Sequence, residues 1–448
     1  MNTMPVVVVG AGPVGLAAAA QLRERGLAPV VFERGESAGA AIAGWNHVRL
    51  FSRWGELIDP AARRLLDTTD WTAPDDDGYP TGQDWTRDYL VPLATALGDD
   101  IVQLNTEVVG VARHGRDRVV DAGRDTEPLS VHLRRSDGTE DRITARAVID
   151  ASGTWTTPNP LGGEGLPALG ERDAVDVIEY RVPNLADEAV RARYAGKHIV
   201  IAGSGHSALT AIVALADLEK QAPGTRISWV LRRGDVGSTF GGGDDDQLPA
   251  RGALGLRAKA AVDDGLLTVV PGFRTATIEP HGDRVVLVSD TGARIEDVDR
   301  VVALTGFRPD LSWLSEIRLG LDPVLQAPTE LAPLIDPNVH SCGTVYPHGV
   351  AELSHPEPNV FLVGMKSYGR APTFLAMTGY EQVRSIAAAL AGDHEAAARV
   401  ELTLPETGVC GGAGVFDDPD TPAAAEESVG CCAAPDPQLI ALSTRAGG

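Results

Sequence analysis

Short runs of apolar residues, each ended by a glycine or an acid, recur along the chain and predict the strands of parallel β-sheets. The first run is Val6–Val9 and the next is Pro29–Phe32; strands that are buried on both faces have this continuous apolar character. The alanine-rich stretch Leu16–Arg25 lies between them and stops at Gly26, as helices often do. Strand, helix and strand in this order predict a right-handed βαβ unit of about 30 residues.

The same order of elements returns farther along the chain. His198–Ala202 predicts a strand, Leu209–Lys220 a helix and Ile227–Leu231 the following strand. The stretch Pro158–Gly170 precedes this second unit and has the proline- and glycine-rich composition of an inter-domain connection. The sequence therefore predicts an α/β fold with two Rossmann-like dinucleotide-binding domains.

Further elements follow from the same patterns. They are predicted strands at Leu104–Arg113, Ser130–Arg134, Arg142–Val148, Val301–Leu304 and Val360–Val363, and a helix near Thr378–Leu390. Beyond about Pro405, alanine, glycine, proline and acidic residues dominate and large apolar residues are few. This composition predicts a flexible C-terminal tail.

A Gly-x-Gly-x-x-Gly turn follows the first strand directly, and it predicts a dinucleotide site. Gly10 permits the tight turn, and Gly15 lets helix and strand pack closely. The helix begins at Gly12 and Pro13, where a pyrophosphate would approach the backbone. The free N–H groups at the start of the helix favour the anion. Glu33, at the end of the next strand, is placed to accept hydrogen bonds from ribose hydroxyls.

A variant of this turn follows the first strand of the second unit. Its six residues are Gly203, Ser204, Gly205, His206, Ser207 and Ala208, and they predict a nicotinamide nucleotide site. Arg232 and Arg233 stand at the end of the next strand, where a site for NADH normally carries an acid. Two guanidinium groups there can clamp a 2′-phosphate, which favours NADPH over NADH. The alternative is that both are solvated surface arginines.

The chain resembles the flavin-containing monooxygenase-like flavoproteins with two dinucleotide-binding domains. Two segments carry the resemblance, Asp150–Gly153 and Ala303–Asp310, each at the end of an apolar strand. The resemblance covers about residues 5–400 and implies FAD at the first glycine turn and a discontinuous FAD domain. The predicted division is residues 1–157 plus 326–404 for FAD, 158–325 for NAD(P)H, and 405–448 for a cysteine-containing tail.

The resemblance also implies further cofactor contacts. They are expected at Arg34, Trp45, Arg49, Val108, Ser152, Gly153, Gly306, Gly364 and Thr373. Many relatives have Gly-Asp at the third FAD segment, where the acid binds the ribityl chain. This chain has Gly364-Met365 instead, so the ribityl contact stays unassigned.

The chemistry implied by the resemblance lies between the two nucleotides. NADPH would reduce FAD, and O₂ would then add to form a C4a-(hydro)peroxyflavin that oxygenates a small substrate. Arg49 and His47 are candidates to stabilise charge on the flavin; the alternative is that Trp45 and Phe51 are core residues and Arg49 pairs with a surface acid. No closely spaced cysteine pair follows the first unit, which disfavours a glutathione-reductase-like mechanism. A reductase acting on a thiol, quinone or metalloid, and a metalloid-binding flavoprotein without activity, remain open alternatives.

Details of the sequence narrow the resemblance. The Phe-x-Gly-x-x-x-His fingerprint of the main monooxygenase groups is missing at Asp173–Arg181. A subgroup associated with bacterial arsenic or metal resistance is more similar; the similar features are Gly203–Ala208, Phe240–Gly243, Gln247–Gly252, Met365–Phe374 and a cysteine-bearing tail. Gly241–Asp246 predicts a mobile loop kept in solvent by three aspartates, either a gate for the nicotinamide or a plain surface loop.

Charge and cysteine content limit the classes of partner. The net charge of −23 argues against a nucleic-acid or anionic-membrane partner. No apolar stretch reaches the roughly 20 residues that span a bilayer, and we expect a cytoplasmic protein. Cys410, Cys431 and Cys432 lie in the tail, where they either bind a soft metalloid or have no assigned role. The rest of the chain shows no metal-site spacing, and the sequence does not determine the oligomeric state.

Overall fold

The computed structural model of the protein describes residues 4–234, 236–246, 248–339, 348–371 and 374–402. The strands are β1 (Val6–Val9), β2 (Pro29–Phe32), β3 (Val102–Gln103), β4 (Thr106–Arg113), β5 (Leu129–Arg135), β6 (Glu140–Ala145), β7 (Ala147–Asp150), β8 (Ile178–Glu179), β9 (His198–Ala202), β10 (Arg226–Val230), β11 (Thr268–Val270), β12 (Thr275–His281), β13 (Arg284–Ser289), β14 (Arg294–Val298), β15 (Arg300–Ala303) and β16 (Val360–Leu362).

The α-helices are α1 (Pro13–Glu24), α2 (Ala40–Ala43), α3 (Trp54–Leu57), α4 (Pro60–Leu66), α5 (Gly82–Trp85), α6 (Val91–Leu97), α7 (Glu188–Ala192), α8 (His206–Gln221), α9 (Pro249–Asp263), α10 (Ala332–Ile335), α11 (Ala376–Leu390) and α12 (His394–Ala398). A π-helical turn at Thr86–Leu90 joins α5 to α6. Short 3₁₀ turns occur at Gly237–Phe240, Gly243–Asp245, Ser312–Leu314 and Gly364–Tyr368.

Two five-stranded parallel sheets share the order of four strands and differ in the fifth, which is the last in the chain in the first sheet and the first in the second. The first runs β16-β7-β1-β2-β3 and the second runs β8-β15-β9-β10-β11. In each sheet the strand that precedes the glycine turn is central, and a helix connects it to its neighbour. Each sheet is also interrupted in the sequence by three antiparallel strands. β4–β6 lie between β3 and β7 in the chain, and β12–β14 lie between β11 and β15. The predicted α/β fold with two Rossmann-like domains is confirmed.

The last strand returns the chain to the first sheet. β16 pairs with β7 in parallel, with Val360 opposite Val148 and Leu362 opposite Asp150. The intervening residues 178–303 supply every strand of the second sheet. The first domain is therefore discontinuous, as predicted, because its fifth strand follows the whole second sheet in the sequence.

Both faces of each parallel sheet are covered. Val6 and Val8 of β1 pack with α1 and α11, whereas Val7 and Val9 pack with the antiparallel strands β4–β6. All four valines are at most 7% exposed, which explains the continuous apolar run, since successive side chains of a strand point to opposite faces. The second sheet is covered in the same way, by α8 on one face and by β12–β14 on the other.

The predicted domain limits, 1–157 plus 326–404 and 158–325, stay predictions. Leu314 and Ile317 pack in the same cluster as β1 and β16. This packing favours a second limit before residue 311. The predicted tail, 405–448, lies outside the described residues, as do all four cysteines: Cys342, Cys410, Cys431 and Cys432.

The loop that was predicted to be fully solvated is partly anchored. Asp244 and Asp245 are exposed, but Asp246 is buried and pairs with Arg251 of α9 at 2.7 Å. A carboxylate is buried here because the guanidinium compensates its charge. The expectation that three aspartates keep Gly241–Asp246 in solvent is wrong for Asp246.

Two kinds of feature are absent from the described residues. No helix there is both long enough and apolar enough to cross a membrane. The same residues contain no group of three or more His, Cys, Asp and Glu side chains arranged to hold a metal ion.

Candidate functional site

The first glycine turn has the geometry that each glycine was expected to provide. Gly10 has φ +99°, and a Cβ at Gly15 would lie 1.9 Å from the Gly10 carbonyl oxygen. Gly12 caps α1, Pro13 is the first residue of that helix, and a Cβ at Gly12 would meet no atom within 4 Å. Open space therefore lies in front of the helix N-terminus, where the free N–H groups attract anions. These residues fit the diphosphate of a dinucleotide.

Glu33 stabilises this turn through two hydrogen bonds. Its carboxylate accepts hydrogen bonds from the backbone N–H groups of Ala11 and Gly35, both at 2.8 Å. Each carboxylate oxygen has a second lone pair, so the predicted role toward ribose hydroxyls remains open to it. Arg34 follows as an exposed residue. The acid thus holds the turn in shape in addition to the ligand role proposed for it.

A buried ion pair that the sequence did not suggest lies beside the turn. Lys366 Nζ is 2.7 Å from Asp150 Oδ2 and donates to Ser152 Oγ at 3.0 Å. The side chains of Lys366 and Asp150 are at most 1% exposed, whereas Ser152 is exposed. The only signal in the sequence was a lysine within a segment of small and apolar residues after β16. The pair joins the carboxyl ends of β7 and β16.

The other predicted FAD contacts differ in how deeply they are buried. Gly153, Gly306 and Gly364 all have positive φ, so their backbones turn at the ends of β7, β15 and β16. The Gly364 N–H donates to Gln382 Oε1 at 2.8 Å. Val108 is buried in the core beneath the first sheet, so its side chain packs there. Thr373 lies outside the described residues.

The second glycine turn repeats the geometry of the first. Gly203 has φ +127°, and a Cβ there would lie 2.2 Å from the Leu304 carbonyl oxygen. A Cβ at Gly205 would meet nothing within 4 Å. Trp229 Nε1 donates to the Gly203 carbonyl at 2.8 Å and fixes the turn to β10. Arg232, exposed, and Arg233, half-buried, follow β10 as predicted, so the strand end next to the second glycine turn carries two cations.

The remaining residues of this turn lie at its open side. Ser204 is half-buried, and His206 and Ser207 are exposed. The His206 ring packs against Phe51 with centroids 5.2 Å apart. The pKa of His206 is lowered to about 4, mainly because the neighbouring protein displaces water from the ring, although part of the residue surface stays exposed. A neutral imidazole adds no positive charge here, so an anion would be attracted by the free N–H groups at the start of α8.

Phe51 belongs to a loop of the first half, residues 45–52, that carries the two predicted catalytic residues. His47 is half-buried, and its pKa is lowered mainly by burial, with an opposing contribution from the Val182 backbone. Arg49 is exposed, and its guanidinium donates to the Tyr79 carbonyl. Within the described residues no carboxylate pairs with Arg49. At pH 7 Arg49 is thus the cation of this loop and His47 is neutral.

This loop contacts both halves of the molecule. Trp45 packs on the first core, where a Cβ at Gly82 would lie 2.9 Å from its ring. Phe51 is not a core residue, since it reaches the second glycine turn. The structure therefore brings Phe51, with His47 and Arg49 on the same loop, toward the N-terminus of α8.

Aromatic and cationic side chains also meet where the two halves join. The rings of Trp155 and Phe307 lie 5.0 Å apart, and the Arg181 guanidinium stacks 4.7 Å from the Trp155 ring. A Cβ at Gly44 would lie 2.7 Å from the same indole. Three of these four residues, Trp155, Arg181 and Gly44, had not been selected from the sequence, because stacking between distant segments leaves no local pattern.

Comparisons with known proteins agree with this geometry. No curated protein matches the sequence. Among solved structures, the chain is similar to a bacillithiol disulfide reductase from Bacillus cereus, with a TM-score of 0.63, 20% identity, and coverage of 87% of this chain and 99% of that one. It is similar to the cadaverine monooxygenase DfoA from Erwinia amylovora, with a TM-score of 0.61, 13% identity, and coverage of 95% and 100%.

A flavin-containing monooxygenase from Stenotrophomonas maltophilia is also similar, with a TM-score of 0.54, 23% identity, and coverage of 88% of this chain and 99% of that one. At these identities the structures show a shared fold. Residues 7–341 match the pyridine nucleotide-disulphide oxidoreductase family. The chain belongs to this family and is a flavin-dependent oxidoreductase that uses FAD and a pyridine nucleotide.

Proposed function

We propose that the protein is an NADPH-dependent flavin monooxygenase that transfers one oxygen atom of O₂ to a small molecule. The observation that carries this proposal is the absence of cysteine from the family-matched segment: the first cysteine of the sequence is Cys342, and the match spans residues 7–341. Electrons on the flavin therefore have no thiol relay within that segment. Two of the structural relatives are named as monooxygenases, which supports oxygen as the acceptor.

The two glycine turns divide the cofactors between them. FAD would be held at Gly10–Gly15 with Glu33 toward its ribose, and NADPH at Gly203–Ala208. When bound, FAD supplies the chemistry: it takes a hydride from the nicotinamide and then passes electrons to O₂. The protein contributes the position of both nucleotides and the exclusion of water between them.

The preference for NADPH rests on Arg232 and Arg233. A phosphate on the adenosine ribose would face this strand end, and guanidinium groups form bidentate, charge-assisted hydrogen bonds with phosphate oxygens. Such bonds are worth about 1.5–3 kcal/mol each. Arg232→Ala should therefore lower kcat/KM for NADPH by roughly ten- to a hundredfold and leave kcat/KM for NADH almost unchanged.

Arg49 and His47 are the proposed groups of the chain that face the reacting centre. Arg49, which stays positive, would stabilise negative charge that develops on oxygen or on the flavin. His47, which is neutral at pH 7 by the direction of its pKa shift, would serve as a hydrogen-bonding group. Arg49→Lys keeps the charge and Arg49→Met removes it, so this pair of variants separates charge from shape.

The decisive experiment follows the flavin spectrum during one turnover. The holoenzyme is reduced with NADPH, and separately with NADH, without oxygen, and it is then mixed with O₂ in a stopped-flow instrument. A monooxygenase shows a transient spectrum distinct from both the oxidised and the reduced flavin. Direct return to the oxidised spectrum, with no incorporation of ¹⁸O into any of a panel of small substrates, would exclude the proposal.

The tail cysteines provide the matched control. In the variant carrying Cys431→Ser and Cys432→Ser, the reaction with oxygen should be unchanged. A loss of NADPH turnover in this variant would indicate a reductase that passes electrons through the tail. The predicted similarity to arsenic- and metal-resistance flavoproteins also depends on these cysteines and stays a prediction.

A further inference from the structure

The Ser152 hydroxyl has its hydrogen-bonding directions fixed by two buried neighbours. Ser152 Oγ is 2.6 Å from Asp150 Oδ1, and the Ser152 N–H donates to the same oxygen at 3.0 Å. Lys366 Nζ is 3.0 Å from Ser152 Oγ. The hydroxyl thus contacts both members of the ion pair.

Chemistry decides which atom donates in each bond. An ionised carboxylate can only accept, and an ammonium group can only donate. Lys366 and Asp150 form an ion pair at 2.7 Å in a site where both are almost completely buried, so each charge is compensated by the other. The Ser152 hydroxyl must therefore give its single proton to Asp150 and accept one from Lys366. One lone pair remains, and it can only accept.

This remaining lone pair belongs to an exposed residue beside the first glycine turn. Ser152 is exposed, and a Cβ at Gly10 would lie 3.1 Å from Ser152 Cα. A Cβ at Gly12 or at Gly153 would meet no atom within 4 Å. Ser152 consequently borders the same open space that fits the dinucleotide.

The strand order decides which part of FAD reaches this position. In the first sheet, β1 with its glycine turn lies between β2 and β7. Glu33 directly follows β2 and Asp150 ends β7, so Glu33 and Ser152 lie on opposite sides of the turn. With the adenosine ribose on the Glu33 side and the diphosphate on the turn, the flavin half and its ribityl chain extend toward Ser152.

We propose that Ser152 Oγ accepts a hydrogen bond from a ribityl hydroxyl of FAD. Asp150 and Lys366 act as positioning residues, because they prevent the hydroxyl from donating. This proposal rests on FAD binding at Gly10–Gly15. It gives the ribityl chain an acceptor, which the sequence had left unassigned. It also means that Ser152 does not donate to the diphosphate.

The test measures binding to the apoprotein by the change in flavin fluorescence. Ser152→Ala should weaken FAD binding by roughly three- to tenfold, the usual worth of one neutral hydrogen bond, and Ser152→Thr should restore it. FAD analogues that lack single ribityl hydroxyls should bind the wild type more weakly by a similar factor. The analogue that lacks the hydroxyl bonded to Ser152 should bind the wild type and Ser152→Ala with equal affinity.

Two outcomes would overturn the proposal. If Ser152→Ala weakens FAD and all ribityl-deoxy analogues equally, the ribityl chain is not the partner. If the loss disappears with an analogue that carries 2′-deoxyadenosine instead, the partner is the adenosine ribose. Failure of the wild type to bind FAD at all would refute the proposed function itself, which is a different result from either of these.

A second set of variants tests the positioning role. Lys366→Met leaves the buried carboxylate without its cation, a costly state that favours protonation. A protonated Asp150 can donate to Ser152, which removes the acceptor preference. The difference in affinity between FAD and the analogue that lacks the ribityl hydroxyl should then be smaller in Lys366→Met than in the wild type. Lys366→Arg should preserve this difference. An unchanged dependence in Lys366→Met, with a wild-type circular dichroism spectrum, would contradict the role given to Lys366.

Discussion

At the scale of single residues, glycine serves two opposite purposes within each nucleotide turn. Gly203 is enclosed, since a Cβ there would overlap the Leu304 carbonyl and its φ of +127° excludes most side chains. Gly205 has φ −83° and open space in front of it. The first residue is thus constrained by its neighbours and the second is not, although both belong to one glycine motif.

Alanine substitutions should separate these purposes. Gly203→Ala should lower the free energy of unfolding by about 2 kcal/mol or more, because the backbone must move away from Leu304. Gly205→Ala should unfold like the wild type but bind NADPH at least about tenfold more weakly, because the methyl group occupies the approach of the pyrophosphate. Thermal unfolding and isothermal titration measure the two effects. Equal behaviour of the two variants would contradict this distinction.

Asp59 is a second residue whose surroundings decide its chemistry. It caps α4 by accepting from the Ala62 N–H at 2.9 Å, and it is fully buried. Burial raises its pKa to about 6, although hydrogen bonds from Ala62 and Gln21 act in the opposite direction. Because the pKa in the folded protein exceeds the ordinary value of 3.8, the folded state binds the proton more tightly than the unfolded state.

The protein should therefore lose stability as Asp59 ionises. Its contribution, about 3 kcal/mol, is complete below about pH 4 and disappears as the pH rises through about 6. Asp59→Asn, which keeps a good cap, should remove this dependence. Urea unfolding of both proteins between pH 4 and pH 7 gives the comparison. A difference between them that is constant over this range would show that Asp59 does not titrate there.

At the scale of secondary-structure elements, a buried charge cluster attaches the antiparallel strands to the first parallel sheet. Glu357, just before β16, accepts from Arg113 of β4 at 2.7 Å and from Arg124 of the β4–β5 loop at 2.6 Å. Burial acts to raise the pKa of Glu357, but the hydrogen bonds of Arg124 and Arg113 outweigh it and the pKa is lowered. The carboxylate is thus charged and compensated.

Removing this carboxylate should destabilise the protein strongly. Glu357→Gln leaves two arginines buried without their partner and should lower the free energy of unfolding by about 3–5 kcal/mol. Glu140→Gln removes the partner of Arg134 in an exposed pair of the same antiparallel sheet and should cost at most about 1 kcal/mol. Chemical unfolding of the two variants compares these costs. Similar values for both would show that burial does not govern the Glu357 cluster.

At the scale of the whole molecule, two copies of one topological plan are joined by two antiparallel connections. Asn159, on the outgoing connection, donates from its backbone to Gly306 at 2.9 Å and from its side chain to Thr305 at 2.8 Å. Thr305 donates back to the Asn159 carbonyl at 2.8 Å. Arg308 extends the pairing by donating to the Thr157 carbonyl. These bonds fix how one sheet leads into the other.

Loosening the connections should affect hydride transfer more than binding. Asn159→Ala should bind each nucleotide within about twofold of the wild type, because neither glycine turn is altered. Flavin reduction by NADPH should be slowed by roughly tenfold, since small errors of alignment between reactants are costly. Anaerobic stopped-flow kinetics measure the rate. Asn184→Ala, in the loop before α7, is the control; an equal rate in both variants would refute the argument.

The sequence by itself determined the local features of the fold. Both βαβ units were predicted with strand limits correct to about one residue, because burial on two faces leaves continuous apolar runs and a glycine turn marks the end of the first strand of each unit. Arg232 and Arg233 were also found at the predicted strand end. The burial of Asp246 was missed, because its partner Arg251 comes from the first turn of a helix that the loop folds onto.

Only the tertiary structure decided what lies across the sites. Phe51 reaches His206, and Lys366 reaches Asp150, through strands and loops far apart in the chain. No periodicity records such contacts, because they depend on which strand ends become neighbours once the sheet is assembled. The sequence therefore predicted two dinucleotide sites, whereas the assembled sheet determined which side chains are charged, oriented and brought close to them.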